Sequence, residues 1–498
     1  MKRALSRKNL WEGLPGPLKT ALAPVLRAIP PQYLYGRRFR RTVAFIAETE
    51  WWPAERSRAW QVEELRRICA IAFTQTAFYR RSFDAAGFDP RDLRDPAELS
   101  GLPTIDRDTL DRHLDEMCAV PPQSASVDYA STGGTTGAPL RFYIGAGRSA
   151  TEYAYLVSSW TRAGFRLGAS LAVLRGRAVD ADKNGFRHQY DPMLRSHYYS
   201  NFHMSDEHLR GYFAHLRTIG TCFLHVYPSS VAALARFVRR TGEAPPPNVL
   251  GILAGSENVY LEQRRLVEET LGYRYFSWYG LTEKVVLAAE CEQSANYHVW
   301  PTYGFLEILD DRGRPVTTPG RRGEIVGTGF LNSVVPFIWY RTGDYATYLG
   351  ERCSACGRAH PLIADIRGHR IQETLVAADG TLVTWTAINV HDDTFDNVSQ
   401  FQLYQDTPGR ARLRIVPAPG FSEVDRARIR RRLGQKLEHR LELELQIVDA
   451  LALTRLGKAI YVDQHIRGIS NAHDDEAAVT PPREPEARCG RRARIGCV

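Results

Sequence analysis

The sequence predicts a large layered α/β unit followed by a small α+β unit. Three observations carry this prediction. Between residues 168 and 325 short apolar strand-like runs alternate with helix-like runs, the pattern of a layered domain built on a parallel sheet. Residues 372–466 change texture, with paired strand signals around one long basic amphipathic helix. At 498 residues and 44% hydrophobic content the chain exceeds a single core and has ample apolar material for two or three domains.

Taken in order, residues 1 to about 120 read as a helical flank. From Trp51 to Asp111 the residues Trp60, Leu65, Ile68, Ile71 and Ala72 recur at helical spacing, and Gly87-Phe88-Asp89-Pro90 marks a turn. Arg141–Ile144 reads as a strand entered from irregular chain, and Ser149–Arg162 as a helix. In the alternating region Leu171–Leu174, Phe223–Val226, Val249–Leu253 and Tyr273–Phe276 are strand candidates, with helices expected over 206–218, 229–240 and 260–271. The sheet they imply is mostly parallel, and ligands of such sheets bind at the carboxyl ends of strands. Those ends fall at Gly255-Ser256-Glu257 and Tyr279–Glu283.

From Phe305 to Tyr348 the pattern is β-rich, closing an N-terminal domain over 1–366. A C-terminal domain over 367–466 follows, with strands near 374–377, 382–384, 400–404, 411–416 and 443–448 and a helix over 422–441. Residues 467–498, with Pro481, Pro482, Pro485 and little apolar content, are expected to be a disordered tail.

The 65 basic residues exceed the 56 acidic ones by 9, a modest excess for this length. Arg426, Arg428, Arg430, Arg431 and Arg432 suit the solvated face of a helix better than a nucleic-acid surface, so no nucleic-acid partner is expected. No apolar run reaches a membrane span, since the stretch Leu18–Ile29 is broken by Lys19 and Arg27, and no signal peptide is apparent. With eight mostly scattered cysteines, a reducing cytoplasm is the expected location.

The densest chemical signal is Ser131-Thr132-Gly133-Gly134-Thr135-Thr136-Gly137-Ala138-Pro139-Leu140. Its glycines permit positive φ and close backbone approach, so successive N–H groups can face an anion while the hydroxyls donate beside them, a phosphate cradle. It is not a Walker A loop, because no lysine follows. Tyr279-Gly280-Leu281-Thr282-Glu283 offers an aromatic face for a base, a hydroxyl for a phosphate and a carboxylate for Mg²⁺. In Tyr340-Arg341-Thr342-Gly343-Asp344 the aspartate after a glycine turn can accept from both hydroxyls of a ribose, and Arg455-Leu456-Gly457-Lys458 places a lysine in the small domain.

These motifs in this order make the chain resemble the adenylate-forming superfamily, and within it the phenylacetate-CoA ligase and CapK-like branch, over about residues 35–466. The resemblance implies a multi-layered adenylate-forming N-terminal domain with a C-terminal lid. It implies ATP- and Mg²⁺-dependent activation of a small-molecule carboxylic acid to an acyl-adenylate, with release of pyrophosphate. Carried over by position, Ser131 through Gly137 would hold the β- and γ-phosphates, Tyr279 with Gly280 would line the adenine, Thr282 would meet the α-phosphate, Glu283 would hold Mg²⁺, and Asp344 the ribose. Lys458 would stabilise charge as the carboxylate attacks, and Gly255-Ser256-Glu257 matches the loop between nucleotide and acyl sites. Leu140 stands where many members have a lysine, and at the hinge, Ile366–Glu373, either His369 replaces an arginine or Arg370 serves one place late. Transfer to CoA is the simplest carry-over. Transfer to an amine or hydroxyl of a second metabolite, adenylylation of a cofactor as in F390 synthetases, and a non-catalytic binding homologue are the alternatives. Monomer and homodimer are both compatible with the sequence.

Cys291, His298 and the knuckle Cys353-Ser354-Ala355-Cys356 supply three thiolates and one imidazole, enough for a closed, structural tetrahedral zinc site; a redox pair at 353/356 and unrelated core cysteines are the rival readings. The same placement resembles the structural zinc of some phenylacetate-CoA-ligase-like proteins. On position alone Tyr227, Ser229 and Trp278 are candidates for the acyl-pocket wall, whereas His188, His197, His203 and His225 read as surface or core histidines.

Overall fold

The computed structural model describes residues 14–131, 140–177, 179–368, 374–384, 388, 393–395, 397–418, 420–437, 440–451 and 462–466. The expected tail, the glycine-hydroxyl stretch 132–139, Arg370 with His369, and Lys458 lie outside the described residues.

The N-terminal helices form where expected. In the helix Ala54–Gln75, Leu65, Ile68, Cys69 and Ala72 fall on one stripe and are buried. It stops at the extended Thr76, whose hydroxyl accepts from the Tyr79 N–H at 3.2 Å and so caps the next helix, Ala77–Ala86. That helix ends on Gly87 at φ 63°, a left-handed position that glycine takes without strain.

A hairpin follows. β1 (Val127–Ser131) and β2 (Arg141–Gly145) pair antiparallel with Ser131 opposite Arg141. The glycine-hydroxyl stretch is therefore entered from a strand rather than from irregular chain; β1 is short and polar, so it carried no periodic signal. Phe142 and Ile144 anchor the hairpin in the core, with the Phe142 ring 5.1 Å from that of Phe337.

A twelve-stranded sheet dominates the described residues. Its strands are β3 (Ser170–Leu174), β4 (His188–Asp191), β5 (Ser196–Tyr199), β6 (Cys222–Val226), β7 (Val249–Gly255), β8 (Tyr275–Gly280) and β9 (Leu287–Ala289). They continue with β10 (Tyr297–Val299), β11 (Gly304–Leu309), β12 (Arg322–Gly329), β13 (Tyr340–Gly350) and β14 (Leu362–Arg367). The order is β11-β12-β13-β14-β10-β9-β8-β7-β6-β3-β5-β4. β5, β3, β6, β7 and β8 run parallel, joined by helices Asp206–Leu216, Pro228–Thr241 and Leu261–Leu271, as the alternation predicts. The other ladders are antiparallel. The mostly parallel sheet is thus confined to one half. The antiparallel half begins where β8 turns back into β9, through the turn that carries Thr282 and Glu283.

A separate four-stranded sheet, β19-β18-β17-β20, is built from β17 (Val398–Thr407), β18 (Arg410–Pro417), β19 (Glu442–Ile447) and β20 (Val462–Gln464), preceded by a small hairpin of β15 (Thr374–Val376) and β16 (Leu382–Thr384). The helix Glu423–Leu437 lays Ile429, Leu433 and Leu437 on it. Arg426 and Arg428, both half-buried on this helix, pair with Glu423 and the buried Asp425, whereas Arg430 and Arg431 are exposed. Phe202 and Tyr227 from the large sheet's loops join the same apolar cluster as the small sheet.

One buried group gives a pH expectation. His203 bonds to the Ser200 hydroxyl at 2.8 Å, and burial, then nearby Arg440, pushes it down to about 2. It stays neutral when folded but takes a proton on unfolding below its ordinary value of 6.5. Stability is therefore expected to fall as pH drops below 6.5, by up to about 1.4 kcal/mol per pH unit from this group. Urea midpoints measured from pH 7.5 to 5, with a shallower decline in His203→Gln, check this.

Candidate active site

The parallel strands deliver four loops to one edge of the sheet, at the carboxyl ends of β3, β6, β7 and β8. From β8 comes Tyr279, whose hydroxyl donates to Asp344 Oδ2 at 2.8 Å; Asp344 sits on β13, 65 residues away. Burial, and then the Asp344 carboxylate, raise the Tyr279 hydroxyl well above its ordinary value, so it remains a donor. Glu283, in the turn after β8, accepts from the Tyr340 hydroxyl at 3.3 Å, and burial, then Glu283, hold Tyr340 protonated in the same way. The Tyr340 ring lies 5.1 Å from Phe337, which packs on Phe142 of the β1–β2 hairpin. The two motifs and the base of the glycine-hydroxyl stretch thus share one packed unit. Thr282 is half-buried in the same turn and Gly280 is exposed at the end of β8. Ser131 closes β1, buried, beside the hairpin mouth.

Asp344 is set by its turn. Gly343 has φ 76° and donates its N–H to Glu324 Oε1 at 3.1 Å, and the Asp344 N–H donates to the Thr342 hydroxyl at 3.1 Å. Glu324 also holds Arg341, at 2.8 Å to its Nε. The Asx-like turn is therefore braced from the neighbouring strand.

At the end of β7, Gly255 is required by packing. A Cβ there would lie 2.5 Å from the Trp278 ring, which is itself fixed 5.6 Å from Trp160 and 5.6 Å from His225. Gly255→Ala is expected to displace Trp278 and cost about 1–3 kcal/mol of stability, with an altered Trp fluorescence maximum; an unchanged spectrum and melting temperature would refute it. Ser256 adopts φ 70° and accepts from Arg175. Glu257 turns the other way: it accepts from the Ser229 N–H at 2.9 Å and the Ser229 hydroxyl at 3.0 Å, holding the first turn of the helix Pro228–Thr241.

Arg175 is the functional candidate that sequence reasoning missed. It contacts His225 and Ser256 and lies 5.0 Å over the Tyr227 ring and 5.3 Å over Trp278. The signal was available, because Arg175 directly follows β3 at the carboxyl end of a parallel strand. Tyr227, Trp278, His225 and Arg175 together form one aromatic and cationic wall, while Ser229 is engaged with Glu257. His225 is thus part of this wall rather than a bystander.

A cleft of about 920 Å³ lies beside this edge, lined by Ser229, Arg236, Arg240, Tyr260, Arg265 and Arg367 of the large unit and by Thr374, Thr381 and Leu382 of the β15–β16 hairpin. It does not include Tyr279, Glu283 or Asp344 and forms a second compartment.

The sulfur and nitrogen atoms of Cys291, His298, Cys353 and Cys356 lie within 4.8 Å of one another. Cys356 Sγ is 4.0 Å from His298 Nε2, close to the edge of a tetrahedral zinc site. Burial, then Arg162 and Arg358, push His298 down to about 3, leaving a neutral imidazole with a lone pair to give. The donor set and geometry fit zinc. Around it, Arg358 binds Glu292 through two contacts of 2.6 Å and Glu50 at 2.8 Å, and Arg162 reaches Glu50 at 3.0 Å. Cys353 follows β13, the strand of Asp344, by three residues.

No protein-family model matches the chain. It is 29% identical over 329 residues to the phenylacetate-coenzyme A ligase of Thermus thermophilus, covering 64% of this chain and 72% of that protein. It is 26% identical over 318 residues to the enzyme of the same name from Escherichia coli, covering 59% and 67%. Across such relatives, including those of Pseudomonas putida and Aromatoleum evansii, the chain spans 66% to 72% of their lengths. The structure of 2-hydroxyisobutyryl-CoA ligase in complex with 2-HIB-AMP and CoA in the thioesterification state superimposes with a TM-score of 0.53 at 20% identity, covering 84% of this chain and 94% of that one. No helix among the described residues is long and apolar enough to cross a membrane. The chain is thus similar in sequence to phenylacetate-coenzyme A ligases and shares the fold of 2-hydroxyisobutyryl-CoA ligase.

Proposed function

We propose that the chain is an AMP-forming ligase that activates a carboxylic acid with ATP and passes the acyl group to coenzyme A. The observation that carries this reading is the meeting of two distant motifs, Tyr279 on Asp344 and Tyr340 on Glu283, at the base of the hairpin that bears the glycine-hydroxyl stretch. A ribose acceptor, an aromatic face and a carboxylate for a metal are what a bound nucleotide needs in one place.

In the first half-reaction a carboxylate oxygen of the acid attacks the α-phosphorus of ATP. The bond from that phosphorus to the oxygen bridging to the β-phosphate breaks, and pyrophosphate leaves. Asp344 orients the ribose, and the half-buried Tyr279 presents its face to the adenine. Thr282 and Ser131 through Gly137 donate to phosphate oxygens. Lys458 supplies positive charge where anion meets anion. Glu283 would hold Mg²⁺, which when bound offsets charge on the departing phosphates. In the second half-reaction the CoA thiol sulfur attacks the acyl carbon, the bond from that carbon to the AMP oxygen breaks, AMP leaves with the electron pair, and the thiol proton passes to solvent.

The arginine-lined cleft supports CoA as acceptor, since Arg236, Arg265 and Arg367 suit the phosphates of a nucleotide thiol. Arg367 ends β14 and lies 5.5 Å over the Tyr260 ring, next to the hinge where Arg370 belongs. The aromatic wall of Tyr227 and Trp278 suits an aryl or short acyl acid. Zinc at Cys291, His298, Cys353 and Cys356 is structural and braces the strand that bears Asp344, and the enzyme works in the cytoplasm.

The test is pyrophosphate release with Mg·ATP across aryl, fatty and amino acids, with and without CoA. Thioester formation with one class of acid is expected. Arg236→Glu with Arg265→Glu should raise the KM for CoA roughly 10- to 100-fold while leaving acid-dependent adenylation unchanged. Full turnover that ignores CoA but responds to an amine or hydroxyl would reassign the acceptor.

A further inference from the structure

The three histidines at the far edge of the large sheet are a cluster that the proposed reaction does not use. His188 opens β4 and His197 lies in β5. In the antiparallel register His188 faces Tyr199, and Tyr190 faces His197, so the two histidines are diagonal neighbours on one face of the hairpin. The helix Asp206–Leu216 covers that face and brings the His215 ring to 4.1 Å from that of His188 and 5.9 Å from that of His197. His188 Nε2 stands 3.0 Å from His197 Nδ1, and one ring nitrogen from each of the three residues lies within 4.8 Å of the others.

We infer that His188, His197 and His215 form a second metal site, for a divalent transition ion of the zinc, nickel or cobalt class, which ties the edge hairpin to the helix Asp206–Leu216. Two imidazole nitrogens this close either share a proton or face a common ion. Nitrogen ligands about 2.05 Å from a tetrahedral ion stand about 3.3 Å apart, so the pair needs to open by only a few tenths of an ångström. The Tyr199 hydroxyl holds His215 Nδ1 at 2.8 Å, which leaves Nε2 for the ion and supplies the outer-shell bond that metal-bound imidazoles use. The donor set is all imidazole, which selects transition ions over Mg²⁺ or Ca²⁺. Tyr190, with its ring 4.6 Å from that of His197, and Phe186, 5.5 Å from His215, wall the site. All three histidines are half-buried. β4 is the last strand of the sheet, and an ion here would fasten an otherwise exposed edge.

The experiment is calorimetric titration of Ni²⁺ into the untagged full-length protein after dialysis against a chelator. One equivalent binding in the micromolar range or tighter is expected, with a rise in melting temperature. His197→Ala should weaken it roughly 100-fold or more, and Tyr199→Phe, which keeps the ring and the fold, roughly tenfold. His208→Ala, on the same helix but outside the trio, should change nothing, and zinc measured before and after the titration should show no displacement from the Cys291, His298, Cys353 and Cys356 group. Binding that survives His197→Ala unchanged, that releases zinc mole for mole, or that is weaker than about 1 mM in the native chain overturns the inference.

Discussion

Glu283→Gln is expected to lower acid-dependent pyrophosphate release by roughly 10²- to 10³-fold while ATP still binds. The side chain keeps its shape and its contact with Tyr340, so the packing that joins β8, β13 and the hairpin survives. What is lost is the negative charge that would hold Mg²⁺ against the phosphates. Asp344→Asn should act differently, raising the KM for ATP, because the amide no longer accepts from two ribose hydroxyls and the Tyr279 hydroxyl at once. Tyr340→Phe removes one hydrogen bond to the Glu283 carboxylate and should cost roughly 10- to 100-fold at most. Steady-state kinetics and nucleotide binding on the three variants separate these effects. Full activity in Glu283→Gln would remove Glu283 from the chemistry.

Cys353→Ser is expected to release one zinc per chain and to destabilise the protein on the order of 5 kcal/mol. The thiol is buried at 3% exposure among Cys291 and Leu362, so the vacated position has no solvent to replace the ion. Because β13 runs from Tyr340 to Gly350 and the cysteine knuckle follows directly, loosening should also reach Asp344 and raise the KM for ATP. Elemental analysis and thermal melts of the variant against the native chain provide the check. Zinc-free native protein whose Cys353 and Cys356 titrate together as a two-electron couple would establish the redox reading instead.

The parallel half of the sheet was legible because β3, β6, β7 and β8 are buried on both faces and so read as continuous apolar runs. The positions of Gly255 and Tyr279 at strand ends followed from that. The antiparallel half was harder. β9 and β10 are three residues each, and β14 mixes buried and exposed positions with charges, so none repeats long enough to stand out. β4 and β5 are rich in histidine and tyrosine and carry no apolar run, so neither stood out as a strand, and the approach of His215 to His188 and His197 depends on a pairing that the sequence does not display. Cys291, His298, Cys353 and Cys356 could be singled out by residue type and spacing, which survive ignorance of the strands between them, and their donor atoms do converge. Arg175 was missed because a lone arginine after a strand has no motif; its role appears only when His225, Tyr227, Ser256 and Trp278 converge on it.

Acyl-adenylate formation is reversible, and ATP–pyrophosphate exchange measures it without regard to the acceptor. Exchange is predicted to require one class of carboxylic acid, to proceed without CoA, and to vanish in Lys458→Ala while ATP still binds. No exchange with any acid, from protein that binds ATP, would contradict acyl-adenylate formation by this chain.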